Sequence, residues 1–259
     1  MHLNPGKKIY FASDFHFGIP DRESSAVREN QFIRWLDFVK NDAGEIFLMG
    51  DLFDFWFEYK TVVPKGYVRL LGKLAEIADS GIPIHFFKGN HDMWAFDYLE
   101  KEVGMKLYRK PVIREFGNKK FFLSHGDGLG PGDHGYKLIK YVFERKINQF
   151  LFNWIHPDIG MRLGLFWSRR SRWANLIREA KEKEAMIEPD FEDARLAKYC
   201  REILKNDKTI NYFIFGHWHI ANIHPVAPES HYIHLGDWIT FFTYGVFDGN
   251  QFELKKFEG

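Results

Sequence analysis

Cysteine is almost absent from the chain: Cys200 is the only one in 259 residues. A single cysteine excludes an intramolecular disulfide framework and favours a reducing compartment. Long apolar runs are also missing, since no stretch approaches the roughly 18 uncharged apolar residues of a membrane-spanning helix. The first eight residues contain no apolar run of signal-peptide length. We therefore expect a cytoplasmic protein that does not span a membrane.

An excess of charge of either sign is missing as well, because 36 Lys and Arg stand against 35 Asp and Glu. This balance does not give the basic footprint of a nucleic-acid-binding protein, so any basic patch must be local. No Pro/Gly-rich linker divides the chain, and its length is sufficient for one full hydrophobic core. We therefore predict a single domain over residues 1–259.

Short apolar runs of strand length recur along the first 215 residues and are separated by helical patterns. The runs lie at 8–12, 45–49, 83–87, 119–123 and 211–215. Helical patterns at 23–40 and 67–80 each place their apolar residues on one face, so strands and helices alternate and predict an α/β fold. From 221 to 257 the pattern changes to alternating apolar and polar residues broken by turn signals, which predicts a second, largely antiparallel sheet.

Each of the five predicted strands is followed at once by a cluster of Asp, His, Asn and Gly. The clusters are Asp14-Phe15-His16, Gly50-Asp51-Leu52-Phe53-Asp54, Gly89-Asn90-His91-Asp92, His125-Gly126-Asp127 and Gly216-His217-Trp218-His219. One such cluster is equally typical of an Asx turn or a glycine-rich strand exit. Five clusters just past the carboxyl ends of strands indicate one shared ligand site.

The residue types in these clusters suit a pair of divalent cations. Two borderline cations held close together need mixed imidazole and oxygen ligands, including a carboxylate that can bridge them. Asp51 is the predicted bridge. The glycines beside the ligands allow sharp turns and are expected to leave room for a phosphate. We predict two divalent metal ions, Mn²⁺ in the first instance, with Fe or Zn²⁺ as alternatives.

The five clusters, in this order over residues 9–219, resemble the signature of the calcineurin-like metallophosphoesterases. The resemblance implies a four-layer α-β-β-α sandwich and two metal sites that share one carboxylate. The implied ligands are Asp14, His16, Asp51 and His219 for the first metal, and Asp51, Asn90, His125 and His217 for the second. The resemblance further implies that His91 protonates the leaving group or stabilises phosphate charge, and that Asp54 orients it. Phe55 stands where many members have Arg, so other cations must meet the charge of the phosphate.

A long segment separates the fourth and fifth clusters, and we predict a helical insertion at about 129–186 that forms a lid over the active site. It has more Lys and Arg than Asp and Glu, and it is rich in large apolar side chains. Six of its aromatic residues are candidates to contact a lipid: Tyr141, Phe143, Phe150, Phe152, Trp154 and Phe166. Such a segment suits an anionic membrane surface or a bound lipid. It could equally be a cap that packs on the catalytic domain, and residues 169–173 could contact nucleic acid. The high apolar content argues against nucleic acid.

The layout is similar to one group within this superfamily, the UDP-2,3-diacylglucosamine diphosphatases of lipid A synthesis. The similarity rests on Gly50-Asp51-Leu52-Phe53-Asp54-Phe55-Trp56, on His125-Gly126-Asp127 followed by the insertion, and on Leu235-Gly236-Asp237-Trp238. It implies a helical lid that holds acyl chains, and hydrolysis to UMP and 2,3-diacylglucosamine 1-phosphate. It also implies a peripheral location on the inner face of the cytoplasmic membrane. The chain departs from the group at His91, where well-known members have Arg.

Two other functions remain open from the sequence. One is a phosphodiesterase or phosphatase that acts on a soluble nucleotide or phosphoprotein, with the insertion serving only as a cap. The other is a metal-stabilised scaffold that has lost its chemistry. The presence of every implied ligand together with His91 and Asp54 argues against the scaffold.

Overall fold

Two β-sheets pack face to face, and helices cover their outer faces. The computed structural model describes residues 5–184 and 194–259, and within 171–184 it describes only the main chain. Phe11 and Phe47 of the first sheet meet Phe121 and Ile214 of the second in the core between the sheets. The order of layers is therefore helix, sheet, sheet, helix, and it confirms the predicted α-β-β-α sandwich.

The first sheet has six strands in the order β11-β10-β1-β2-β3-β4. Its strands are β1 (Lys8–Ala12), β2 (Ala43–Leu48), β3 (Ile84–Phe87), β4 (Lys106–Tyr108), β10 (Thr243–Phe247) and β11 (Phe252–Lys256). The strands from β1 to β4 are mutually parallel, whereas β10 runs antiparallel to both β1 and β11. The carboxyl ends of β1, β2 and β3 consequently lie side by side at one edge.

The second sheet has five strands in the order β5-β6-β7-β9-β8. Its strands are β5 (Val112–Phe116), β6 (Lys119–Leu123), β7 (Tyr212–Phe215), β8 (Ala221–Ala227) and β9 (Ser230–Leu235). The central neighbours β6, β7 and β9 are parallel. The carboxyl ends of β6 and β7 therefore also share one edge.

A second sheet is present as predicted, but residues 221–257 supply only two of its strands, and its central strands are parallel rather than antiparallel. β8 and β9 complete the second sheet, while β10 and β11 cross to the first, where Ile9 of β1 pairs with Phe247 of β10. Alternation of apolar and polar residues shows that a segment is extended, but it does not identify the neighbouring strand. A hairpin turn at residues 248–251 joins β10 to β11.

Helices α1 (Arg22–Val39) and α2 (Val68–Asp79) cover the first sheet, and α7 (Arg195–Asn206) covers the second. Asp21 caps α1 by accepting a hydrogen bond from Ser24 N at 2.7 Å, as expected of an aspartate at this position. Beyond α2, Gly81 has a φ of +88° and donates to Ala78 O, as is usual for a glycine at the end of a helix. The short α3 (Tyr98–Lys101) precedes β4.

The insertion consists of α4 (His134–Glu144), α5 (Lys146–Asn153) and α6 (Pro157–Glu184). No residue of α4 or α5 is buried. Aromatic residues supply part of the contact between the insertion and the rest of the domain: Trp94 Nε1 donates to Phe143 O at 2.8 Å, and the Phe152 ring centroid lies 4.7 Å from those of both Phe57 and Trp94. Within the described part of the chain, no helix has the length and apolar content that a membrane crossing requires. Residues 185 and 186, the predicted end of the insertion, lie outside the described residues.

Candidate metal centre

The five motif clusters converge because the strands that precede them end at the same edge of the two facing sheets. Asp14 and His16 follow β1, Asp51 follows β2, and Asn90 follows β3. His125 follows β6 of the second sheet, and His217 and His219 follow β7. The sequence predicts the shared edge, but not that two sheets supply it.

Two groups of predicted ligands come together at this edge. Asp14, His16 and His219 form one group, and Asp51, His125 and His217 form the other, with ligand atoms within 4.8 Å of one another in each. Asn90 Oδ1 adds to the second group, at 2.9 Å from His217 Nδ1 and 3.3 Å from His125 Nε2.

Asp51 lies between the two groups. Its Oδ2 is 3.6 Å from His16 Nε2 of the first group and 3.4 Å from His125 Nε2 of the second. A carboxylate with this placement can contribute an oxygen to each of two cations. The residue predicted from the sequence as the bridge therefore lies between the two groups of predicted ligands.

Two of the imidazole rings have a defined orientation. His125 Nδ1 lies 2.7 Å from Met49 O and His219 Nδ1 lies 3.2 Å from Asp237 Oδ2. The Nε2 atoms of the two rings therefore face carboxylate oxygens of the cluster, Asp51 Oδ2 and Asp14 Oδ1 respectively. An outer oxygen acceptor of this kind is usual for a histidine that binds a metal.

The donor atoms and their burial fit divalent cations. Asp14 Oδ1 is fully buried and, among the described residues, has no hydrogen-bond partner, while His16 Nε2 and His219 Nε2 lie 3.8 Å away. A buried carboxylate oxygen without a partner is costly unless a cation or donor meets it. Mixed imidazole, carboxylate and amide ligands suit Mn²⁺, Fe or Zn²⁺.

The electrostatics of the cluster also favour added positive charge. Burial opposes ionisation of Asp51, but the neighbouring histidines His125 and His91 outweigh it and hold its pKa well below the usual value. Burial likewise opposes the charged form of His125, yet Asp51 and Asp14 raise the pKa of His125 to about 10. A site that stabilises a buried imidazolium would equally stabilise a cation bound among the same oxygens.

Two glycines make room for ligands rather than for a phosphate. A Cβ on Gly89 would lie 2.1 Å from Asp51 Oδ1, and one on Gly50, whose φ is +103°, would lie 2.4 Å from His125 Nδ1. The space that we expected for a phosphate at Gly50 and Gly89 is instead filled by the predicted ligands His125 and Asp51. The ligands Asp14, His16, Asp51 and His217 themselves have positive φ, a backbone strain that concentrates at functional sites.

His91 lies beside both groups with its ring fixed mainly by main chain. His91 Nδ1 is 2.8 Å from Asp54 O, whereas the Asp54 carboxylate oxygen Oδ1 is 3.8 Å away. The predicted contact between the two residues therefore runs through the peptide oxygen as well as the carboxylate. A ring nitrogen of His91 lies within 4.8 Å of ligand atoms of His16 and Asp51, so the structure brings His91 close to the cations that these residues would hold.

Two further carboxylates, for which the sequence predicts no role, make hydrogen bonds that hold residues of the centre in place. Asp237 Oδ2 orients His219, while its Oδ1 accepts from Thr240 N at 2.9 Å and Phe241 N at 3.0 Å. Asp92 accepts from Gly89 N and Leu52 N, both at 2.7 Å, and thereby ties the second and third clusters together. Gly236-Asp237 reads as a turn in the sequence, and only the fold brings it to His219.

His234, which lies outside the motifs, is a packing residue. His234 is fully buried, its Nδ1 lies 3.1 Å from Gly216 O, and its ring stacks on Trp218. Phe55, at the position where many members of the superfamily have Arg, packs near Trp94 and Phe152 of the aromatic contact with the insertion.

The insertion exposes a wide apolar surface beside basic side chains. Tyr141, Phe150, Trp154 and Phe166 are more than half exposed, whereas Phe143 and Phe152 are partly buried. The six aromatic residues named from the sequence thus fall into an exposed set and a packed set. Of the segment 169–173, Arg169 and Arg170 are exposed; the side chains of 171–173 lie outside the described residues.

Comparison with known proteins agrees with this geometry. The family model described as calcineurin-like phosphoesterase matches residues 7–221. A UDP-2,3-diacylglucosamine hydrolase of Porphyromonas gingivalis is 35% identical over 97% of this chain and 98% of its own length. Proteins of the same name from Histophilus somni and Neisseria meningitidis serogroup B are each 28% identical over 90% of this chain, and are covered over 92% and 90% of their lengths.

Proposed function

Because the chain belongs to the calcineurin-like phosphoesterase family, we propose that it is a metal-dependent hydrolase that cleaves the pyrophosphate bond of UDP-2,3-diacylglucosamine. The products would be UMP and 2,3-diacylglucosamine 1-phosphate. The observation that carries the hydrolase assignment is the position of Asp51 between two groups of ligand side chains. The substrate is supported by relatives of that name that match the chain along almost its whole length.

The centre would hold two divalent cations through Asp14, His16, Asp51, Asn90, His125, His217 and His219. Such cations, when bound, polarise phosphoryl oxygens and lower the pKa of water. The protein's own contribution is to hold these ligands in a buried, oriented array before substrate arrives, which the contacts of His125 Nδ1 with Met49 O and of His219 Nδ1 with Asp237 Oδ2 support. We propose Mn²⁺ as the metal, since carboxylate, amide and imidazole ligands all accept it.

His91 is the proposed proton donor to the leaving group or partner of the phosphate charge. Its Nδ1–H is engaged by Asp54 O at 2.8 Å, so Nε2 is the nitrogen that can act on a substrate oxygen. Burial lowers the pKa of His91, while the charges of Asp51 and Asp54 act in the opposite direction. Burial prevails, so the pKa of His91 lies below the usual value for a histidine.

The exposed aromatic face of the insertion is the proposed place for the acyl chains, with the insertion acting as a lid. Phe150 and Trp154 expose 56% and 78% of their surface, and their ring centroids lie 6.1 Å apart. Exposed basic residues, Arg145, Lys146 and Arg162 among them, flank this face. Apolar and cationic groups together suit the anionic inner surface of the cytoplasmic membrane, where we propose that the protein binds peripherally.

The test is a side-by-side assay of the purified protein with Mn²⁺ on UDP-2,3-diacylglucosamine and on a small aryl phosphodiester, with the products identified by mass spectrometry. We expect UMP and the lipid phosphate, with a far higher kcat/KM for the lipid substrate. The matched control is Asp51→Asn, which should abolish both activities and lower metal occupancy in both groups.

Two results would contradict the proposal in different ways. Preference for soluble phosphodiesters, without any effect of detergent or lipid, would favour the alternative of a soluble substrate and leave the hydrolase assignment standing. Turnover by Asp51→Asn near the wild-type rate with two metals bound would remove the assignment of the centre itself.

A further inference from the structure

Helix α6 docks on the catalytic domain through three small residues on one face. Gly160, Gly164 and Ser168 recur every four residues and are the buried positions of the described part of this helix. A Cβ on Gly164 would lie 2.3 Å from the Phe55 ring, and one on Gly160 would lie 2.0 Å from the Tyr59 hydroxyl. The helix therefore lies closely against the segment that follows β2 and contains Asp54.

The third docking residue makes a hydrogen bond into the centre. Ser168 Oγ donates to Asp54 Oδ2 at 2.6 Å, and both residues are buried, with Asp54 completely so. This bond joins residues 114 positions apart in the sequence, one on the insertion and one in the second motif. A hydrogen bond to a buried charged group is among the stronger ones in proteins.

The other oxygen of the same carboxylate faces two histidines of the centre. Asp54 Oδ1 lies 3.4 Å from His16 Nδ1 and 3.8 Å from His91 Nδ1. A carboxylate can rotate about its terminal bond with little resistance. Fixing Oδ2 through Ser168 fixes the direction of Oδ1, and with it the orientation of His16.

We infer that Ser168 is a positioning residue of the metal centre, through which the docked position of α6 sets the orientation of the Asp54 carboxylate and thereby of His16. The inference rests on the proposed function of that centre. It gives the insertion a role in catalysis that is separate from any contact with acyl chains. The hydroxyl is a neutral donor, so it orients the carboxylate without cancelling the charge that His16 and His91 face.

Ser168→Ala tests the inference on the small aryl phosphodiester, which is too short to need the exposed aromatic face. We expect kcat to fall about tenfold with KM little changed. Mn²⁺ binding to the metal-depleted full-length protein should weaken by a similar factor, near the lower end of the effect of removing an outer partner of a metal ligand. Ser168→Thr keeps the hydroxyl and should recover most of both quantities.

The matched control is Ser230→Ala, which removes an equally buried serine hydroxyl bonded to Ile210 O at 2.6 Å on β9. It should lower the melting temperature as Ser168→Ala does, without changing kcat or Mn²⁺ affinity. Wild-type kcat and Mn²⁺ affinity in Ser168→Ala, or losses no larger than those of Ser230→Ala, would overturn the inference. Mn²⁺ affinity decides the question even if the proposed substrate proves wrong.

Gly164→Ala tests whether docking of the helix transmits the effect. The added methyl group must displace α6 from Phe55, so we expect the loss of kcat seen in Ser168→Ala without removal of the hydroxyl. In the double variant the second change should add little, because both act on one contact. Multiplying losses would show that the position of α6 does not act through Ser168.

Discussion

At the scale of single residues, the His91 ring has a defined position at the edge of the sheets. Its ring lies edge-on to that of His16, with centroids 4.6 Å apart, and its Nδ1 is bound by Asp54 O. A substitution at position 91 therefore removes a ring that is held independently of the residues predicted to bind metal. Its effect can separate chemistry from metal binding.

We predict that His91→Ala keeps both metals and lowers turnover by about 10²–10⁴, the usual contribution of a general acid. Metal content measured by mass spectrometry and kcat with Mn²⁺ check this together. His156→Ala is the control, since that histidine lies on the insertion with its side chain 68% exposed, and it should leave turnover unchanged. Loss of one metal in His91→Ala would mean that His91 is itself a ligand.

At the same scale, the motifs predict ligands better than they predict the residues that orient them. Asp14, His16 and Asp51 are recognisable as candidate ligands because they lie in motifs that resemble the metallophosphoesterase signature. Asp237 and Ser168 have no such pattern, because each reaches the centre only through a long-range contact made by the fold.

At the level of elements, local pattern locates strands and helices but not their partners. β1 and β6 have the predicted limits. Helices α1 and α2 begin and end within one residue of their own predicted limits. The three-residue β4 and the four-residue α3 are too short to show a repeating pattern of apolar residues, so the sequence does not predict them. The assignment of β10 and β11 to the first sheet depends on pairing with β1, which lies more than 200 residues earlier in the sequence.

The insertion helices offer a matched pair of double substitutions. Phe150→Ser with Trp154→Ser removes exposed rings, whereas Phe143→Ser with Phe152→Ser removes rings that pack near Trp94. If the exposed rings hold acyl chains, the first pair should raise KM for the diacylated substrate about a hundredfold, at about 1.5–3 kcal/mol for each buried aromatic. The rate on the aryl phosphodiester and the melting temperature should stay close to those of the wild type.

The packed pair is expected to behave differently, because its rings attach the insertion to the domain. It should lower the melting temperature and reduce turnover of both substrates. An unchanged KM in the exposed pair would show that this face does not bind the acyl chains. The sequence alone could not separate these two sets, since all four residues are aromatic and lie in one apolar helical segment.

At the scale of the whole molecule, a polar network joins the two sheets next to their shared aromatic core. Glu45 of β2 accepts from Arg114 of β5 at 3.1 Å and 2.9 Å through its two oxygens. His85 Nε2 of β3 lies 2.7 Å from Glu45 Oε2, and the His85 ring stacks on Phe47. Glu45 thus lies between the cation of the second sheet and the imidazole of the first.

Glu45→Gln should destabilise the fold by about 3 kcal/mol at neutral pH, the lower end of the cost of breaking a buried ion pair.

Burial opposes ionisation of Glu45, but His85 and Arg114 prevail and hold its pKa below the usual value. A carboxyl whose pKa is lowered by folding contributes stability above its unfolded pKa, and this stability is lost as the pH falls through the folded value. Between about pH 5 and pH 3, therefore, wild type should lose more free energy of unfolding than Glu45→Gln. Denaturant titrations across this range measure the difference, and Glu202→Gln, in an exposed pair with Lys205, is the control. Parallel decline of wild type and Glu45→Gln would show that the network does not couple the sheets through the charge of Glu45.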